Sequence, residues 1–186
     1  MSKATMSREK VPKRDPTAEP ALLDYAQVAG VLTVVLAGLG ALAWGESTPR
    51  PRESLLTPLF AQLLLVAVVW LLMVAARNAA ILRGIASSEY FRSYSGELPP
   101  EFVERPARAF NNLMQVPTLF YVGVTVALAL DAVTDQLAAL GWAFVALRSL
   151  HAGFYIAFNV VKWRFCLWMS SGLALVFFWV EIAQST

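Results

Sequence analysis

Charge is scarce in this chain. Of its 186 residues only 15% are charged, against about 25% in a typical soluble domain. The deficit is uneven: 58% of residues are hydrophobic, and nearly all charge sits in short islands between apolar runs. That pattern excludes a soluble globular domain and marks a polytopic membrane protein. Cysteine is almost missing too. Cys166 stands alone, which excludes an internal disulfide framework and a cysteine-cluster metal site. His151 is the single histidine, so all-histidine and HExxH metal sites are excluded as well. No internal repeat is present. The formal net charge is only +2, and the basic residues form no nucleic-acid face.

What is present is a series of apolar runs. Residues 1–20 hold Lys3, Arg8, Lys10, Lys13 and Arg14 with Pro12, Pro16 and Pro20. They read as a disordered basic arm at a membrane surface. Residues 22–45 form the first apolar run. Its Ala41-Leu42-Ala43 resembles a signal cleavage site, but the run is long enough for an uncleaved span. A polar loop follows at 46–54, then a second span at 55–76 whose helix continues toward Arg83. The longest loop is 84–103, with Tyr90, Phe91 and Tyr94 as interface aromatics. A third span starts near Pro106 and runs to about Leu130, with Pro117 inside it to kink it or free a carbonyl. Asp131 to Asp135 make an acidic turn, where both aspartates read as turn and cap residues. The fourth span is 136–161, Lys162 to Arg164 form a minimal turn, and the fifth span is 165–182.

The basic residues set an orientation. With the N-terminus in the cytoplasm, the arm, the 77–108 region and the 162–164 turn place twelve of the fifteen Lys and Arg inside. Arg50 and Arg52 are outside, and Arg148 is in a span. The opposite orientation reverses this bias, so the positive-inside rule predicts N-inside and C-outside.

Two of the spans carry polar stripes. The first stripe is Glu104, Arg105, Arg108, Asn111, Asn112 and Gln115; the second is Arg148, His151, Tyr155 and Asn159. Both follow i, i+3/i+4, i+7 spacing and so occupy one helical face. At about 1.5 Å per residue, Gln115 lies about 10–13 Å deep, Tyr155 about 9 Å and His151 about 15 Å, with Arg148 near mid-membrane. Polar groups from both spans therefore share the cytoplasmic half of the bilayer, where they should face protein or a water-filled site. Arg108 and Arg148, with Arg77 and Arg164 nearby, are fixed cations whose donor forks suit carboxylates. Asn112 and Gln115 add neutral donors and acceptors, and Tyr155 adds a hydroxyl. The set fits a small anionic ligand with more than one carboxylate.

The 104–121 run, ERPARAFNNLMQVPTLFY, resembles the second-helix signature of the MAPEG superfamily, the membrane-associated proteins in eicosanoid and glutathione metabolism. The Arg148, His151, Tyr155 stripe is similar to the next helix of its prostaglandin synthase type. The 142–151 and 159–165 segments are similar to bacterial members. The resemblance covers about residues 55–183. It implies an all-α membrane protein: a four-helix bundle over residues 55–186, preceded by an extra membrane helix and outer loop at 21–54. It also implies a homotrimer that binds glutathione between subunits on the cytoplasmic side of a bacterial inner membrane. By position, Arg108 and Asn112 would hold glutathione, with Arg77, Gln115, Arg148 and His151 in its site. Tyr155 and Arg164 would be catalytic, Arg164 stabilising the thiolate that attacks an electrophilic or peroxidic lipid. Two positions depart from the family pattern: Gln115 replaces a glutamate that meets the amino group of glutathione, and Asn111 stands where the prostaglandin synthase has a second arginine.

Plainer readings stand beside these. Asn111, Asn112, His151 and Tyr155 equally suit bridges between helices. Arg77, Arg83, Arg92 and Arg105 suit positive-inside anchoring. Cys166 reads as inert packing, and Trp163, Trp168 and Trp179 as belt or packing residues. No acidic residue lies in the body of any span from 55 to 180, so a carboxylate for Arg148 must come from a ligand, a loop or a helix end. Two functions follow: a glutathione-dependent transferase or peroxidase acting on lipophilic electrophiles, or a non-catalytic lipid-binding or structural subunit of a larger membrane complex.

Overall fold

The computed structural model describes residues 22–93, 95 and 98–185; the basic arm and Tyr94 lie outside them. The described chain is helical: α1 (Leu22–Ala43), α2 (Glu53–Leu82), α3 (Ser88–Ser93), α4 (Glu101–Leu113), α5 (Val116–Ala129), α6 (Asp135–Ala157) and α7 (Val161–Gln184). Five stretches are long and apolar enough to cross a membrane, with α4 and α5 together making one of them. This is a multi-pass membrane protein: a four-span bundle with one added N-terminal helix.

Small residues set how closely the spans approach. A Cβ on Gly123 of α5 would stand 2.9 Å from Phe178 Cε1 on α7. One on Gly141 of α6 would meet Pro58 of α2 at 3.3 Å. Inside a bilayer, where apolar surface alone does not drive helices together, such contacts carry the packing. They allow Phe120 to stack on Phe144 at 4.8 Å and to meet Phe178 at 5.3 Å between ring centroids. These three fully buried rings centre the core. The added helix α1 joins that core through Leu39, with Val35 and Ala43 beside it, and its Gln27 accepts a hydrogen bond from Lys162 of α7.

One end of the bundle is closed by paired loops. Arg50 N–H donates to the Val133 carbonyl at 2.9 Å and Asp135 N–H to the Thr48 carbonyl at 3.0 Å. Asp131 takes a left-handed φ of 55°, and Ala132 N–H closes the end of α5 onto the Ala127 carbonyl at 2.9 Å. Thr134, not Asp135, caps α6 by accepting from Leu137 N–H at 3.1 Å. Asp135 instead accepts from Thr48 N–H at 2.9 Å.

Four boundaries differ from the sequence reading. The 84–103 loop contains α3. The third span begins at Glu101, so Pro106 lies inside α4. The fourth span ends at Ala157. Consequently the last turn falls at Phe158–Val160, not at 162–164, and Lys162, Trp163 and Arg164 open α7. The charges suggested a turn at 162–164, but Asn159 breaks the chain first: it adopts a left-handed φ of 55°, which asparagine tolerates better than most side chains.

Candidate functional site

The site begins with a break in the third span. Pro117 has no N–H, so the Leu113 carbonyl loses its i+4 donor. The helix stops at Leu113 and restarts at Val116, with Gln115 between them at φ −95°, ψ −82°. Carbonyls at a helix C-terminus need other donors, and here one is supplied by α6. Arg148 is fully buried. Its Nη2 donates to the Asn112 carbonyl at 2.8 Å and to Asn112 Oδ1 at 2.7 Å. The intramembrane cation is therefore met by carbonyl oxygens and the negative end of the α4 dipole rather than by a carboxylate. No ion pair to Arg148 exists among the described residues. Its Nε and Nη1 remain buried without a hydrogen-bond partner.

The arrangement is reciprocal. Arg105 of α4 pairs with Glu101 at 2.9 Å and donates to the Ala157 carbonyl, at the end of α6, at 3.4 Å. Each helix thus lends an arginine to the other's C-terminus, which fixes the antiparallel register of the two polar stripes.

Fixing Asn112 orients its amide. With Oδ1 taken by Arg148, the Nδ2 group, which carries two donors, is what Asn112 offers elsewhere. Asn112 borders a crevice of about 230 Å³, together with His151, Val161, Arg164, Phe165 and Trp168. Arg164 lies on the first turn of α7 with its Cζ 3.5 Å from the Tyr155 ring centroid, a close cation–π contact. Its Nη1 donates to Asn159 Oδ1, and its Nε is buried without a partner. His151 is buried and meets Tyr155 edge-on, with centroids 6.0 Å apart. Tyr155 itself packs with Ala109, Leu113 and Ala152. The crevice therefore combines cationic and amide donors with an indole and a phenyl ring among its lining groups.

Of the sequence candidates, Asn112, His151 and Arg164 line this crevice, with Arg148 and Tyr155 directly behind it. Arg77, Arg108 and Gln115 are not among its lining residues. Arg77 sits over the Phe91 ring at 5.3 Å and so ties α3 to α2. Arg108 pairs with Glu104 at 3.6 Å and Glu101 at 3.8 Å, its side chain 45% exposed. Gln115 is exposed at the break. Asn159 does not continue the α6 stripe but sits in the turn, where its Nδ2 donates to Glu101 at 3.4 Å. The wall residues Val161 and Phe165 were not singled out in the sequence, and Trp168, read there as a belt or packing residue, lines the crevice instead. Their signal was the i, i+3/i+4 spacing around Arg164 on one face of α7, hidden by setting the turn at 162–164. Among the described residues no group of His, Cys, Asp and Glu is placed to hold a metal ion.

No curated protein and no solved structure matches the chain. A family model does, over residues 55–184, the stretch that runs from the first turn of α2 to the end of α7 and holds every residue of the crevice. By that match this membrane bundle belongs to the MAPEG family.

Proposed function

We propose that the crevice binds the thiol end of glutathione and that the protein is a glutathione-dependent transferase or peroxidase for lipophilic electrophiles. The observation that carries this reading is the locked amide of Asn112 facing the same crevice as the Arg164 guanidinium. Arginine keeps its charge, so Arg164 acts on the thiol electrostatically: the proton leaves to water and the thiolate is held. The thiolate then attacks an electrophilic carbon, forming a C–S bond as the leaving group departs with the electron pair. With a hydroperoxide it attacks an oxygen instead, forming an S–O bond as the O–O bond breaks; the alkoxide takes a proton from water, and a second glutathione converts the sulfenic acid to the disulfide with loss of water. Phe165 and Trp168 supply an apolar wall for a substrate arriving from the bilayer.

The crevice is smaller than the roughly 300–1,000 Å³ of a typical small-molecule site. That shortfall supports a site shared between subunits of a homotrimer, in which exposed Arg108 and Gln115 of one copy reach toward another copy. The positive-inside bias supports a cytoplasmic opening in a bacterial inner membrane. Gln115 favours a second reading: without a carboxylate for the glutathione amino group, the chain could serve as a lipid-binding or structural subunit of a larger membrane complex.

The experiment is a thiolate titration. Purified protein is mixed with millimolar glutathione and the ultraviolet thiolate band is followed, alongside conjugation of a chlorinated aromatic. The wild type is expected to show both, and Arg164→Ala to lose the band. A wild type with neither signal, and with unchanged thermal stability on adding glutathione, would leave only the subunit reading.

A further inference from the structure

At the opposite end of the bundle, near the C-terminus of α7, Glu181 is 96% buried, with a residue exposure of 4%. Ser47 Oγ donates to its Oε1 at 2.9 Å and Thr134 Oγ1 donates to the same oxygen at 3.0 Å. Thr134 already accepts from Leu137 N–H, so its hydroxyl proton is free to point at the carboxylate. Both recorded donations fall on Oε1. No cation pairs with Glu181 among the described residues. A buried carboxylate without a counter-ion is a costly arrangement, and here it borders an open cavity rather than packed side chains.

That cavity, of about 280 Å³, lies between the end of α1 and the last turns of α7, lined by Trp44, Gly45, Phe177, Val180, Glu181 and Gln184, with Ala43. Trp44 is left 87% exposed there. The anionic group asks for N–H donors, and an aromatic ring lines the same cavity. We infer that this cavity is a binding site for a primary ammonium group, held by Glu181 with Trp44 as its aromatic wall. A cation near an aromatic face is favoured further by the ring quadrupole. The site needs α1, which lies outside the 55–184 family match. It is separate from the crevice, so it stands whether or not glutathione binds.

Glu181 lies one turn from the helix end at Gln184, and the end of a membrane-spanning helix meets the headgroup region. The ammonium can therefore come from an ethanolamine phospholipid or from a small soluble amine. Thermal unfolding of the full chain would be measured in nanodiscs of phosphatidylethanolamine, phosphatidylcholine or phosphatidylglycerol, and in phosphatidylglycerol discs with added ethanolamine. A lipid ligand raises the midpoint only in phosphatidylethanolamine; a soluble amine reproduces the rise in phosphatidylglycerol. Glu181→Gln keeps an acceptor for Ser47 and Thr134 and removes the charge. It is expected to abolish the rise, and Trp44→Ala, at an exposed position, to weaken amine affinity about tenfold, a loss of about 1.4 kcal/mol. A rise that phosphatidylcholine matches, one that survives Glu181→Gln, or no rise in either phosphatidylethanolamine or added ethanolamine would overturn the site.

Discussion

Arg148 shows how one side chain can be both structural and functional. Its guanidinium closes the exposed end of α4 and, through the same contact, aims Asn112 at the crevice. Arg148→Met removes both donations, leaving Asn112 Oδ1 without its donor and the Asn112 carbonyl with only the long 3.4 Å bond from Gln115 N–H. A charged hydrogen bond of this kind is worth about 1.5–3 kcal/mol, so the variant should lose about that much stability in a denaturation series and bind glutathione more weakly. Arg148→Lys retains the charge without the planar fork. It should restore stability better than it restores affinity. Arg108→Ala makes a contrast: its ion pairs with Glu101 and Glu104 are solvent-screened at 45% exposure, and the stability change should stay under about 1 kcal/mol.

At the scale of elements, the break before Pro117 ends α4 at Leu113, so Asn112 stands in a last helical turn where Arg148 can donate to it. Pro117→Ala would restore an N–H to the Leu113 carbonyl and favour one straight helix through residues 101–129. The expected outcome is slower amide hydrogen exchange at residues 114–118 together with weaker glutathione binding, because straightening withdraws the Asn112 carbonyl from Arg148. Faster exchange, or unchanged affinity, would show that the bend does not position Asn112. The break was legible in the sequence, since a proline within a span announces it. The two polar stripes were legible as well, from their helical spacing. The partner of Arg148 was not: a search for carboxylates passes over backbone oxygens, which no sequence displays. The α7 wall was lost for a related reason. Lysine and arginine at 162 and 164 resemble a water-facing turn, yet their stems begin a helix, and only the left-handed Asn159 sets where the turn falls. The loop end holds one more test of this kind. Thr134 both caps α6 and donates to Glu181, so Thr134→Val should cost about 1–2 kcal/mol. Asp131→Asn, whose pair with Arg52 is exposed on both sides, should cost less than about 1 kcal/mol.

For the whole molecule, the two candidate sites sit at opposite ends of the bundle and draw on different helices. The crevice uses α4, α6 and α7, all inside the 55–184 match. The ammonium cavity needs the end of α1. The helix α1 adds one buried leucine, Leu39, to the common core and leaves most of its own surface uncovered. Removing it should therefore lower stability without dismantling the crevice. A chain beginning at Glu46, expressed behind a cleavable signal so that α2 enters the membrane in its original direction, makes the test. Its unfolding midpoint should fall, since the Leu39 contact is lost. Its glutathione affinity should stay within about twofold of the full chain, as expected for a perturbation far from the site. Its response to phosphatidylethanolamine should vanish. Loss of glutathione binding along with α1 would instead make the added helix part of the crevice's support, acting through Gln27 and Lys162 at the start of α7, two residues before Arg164.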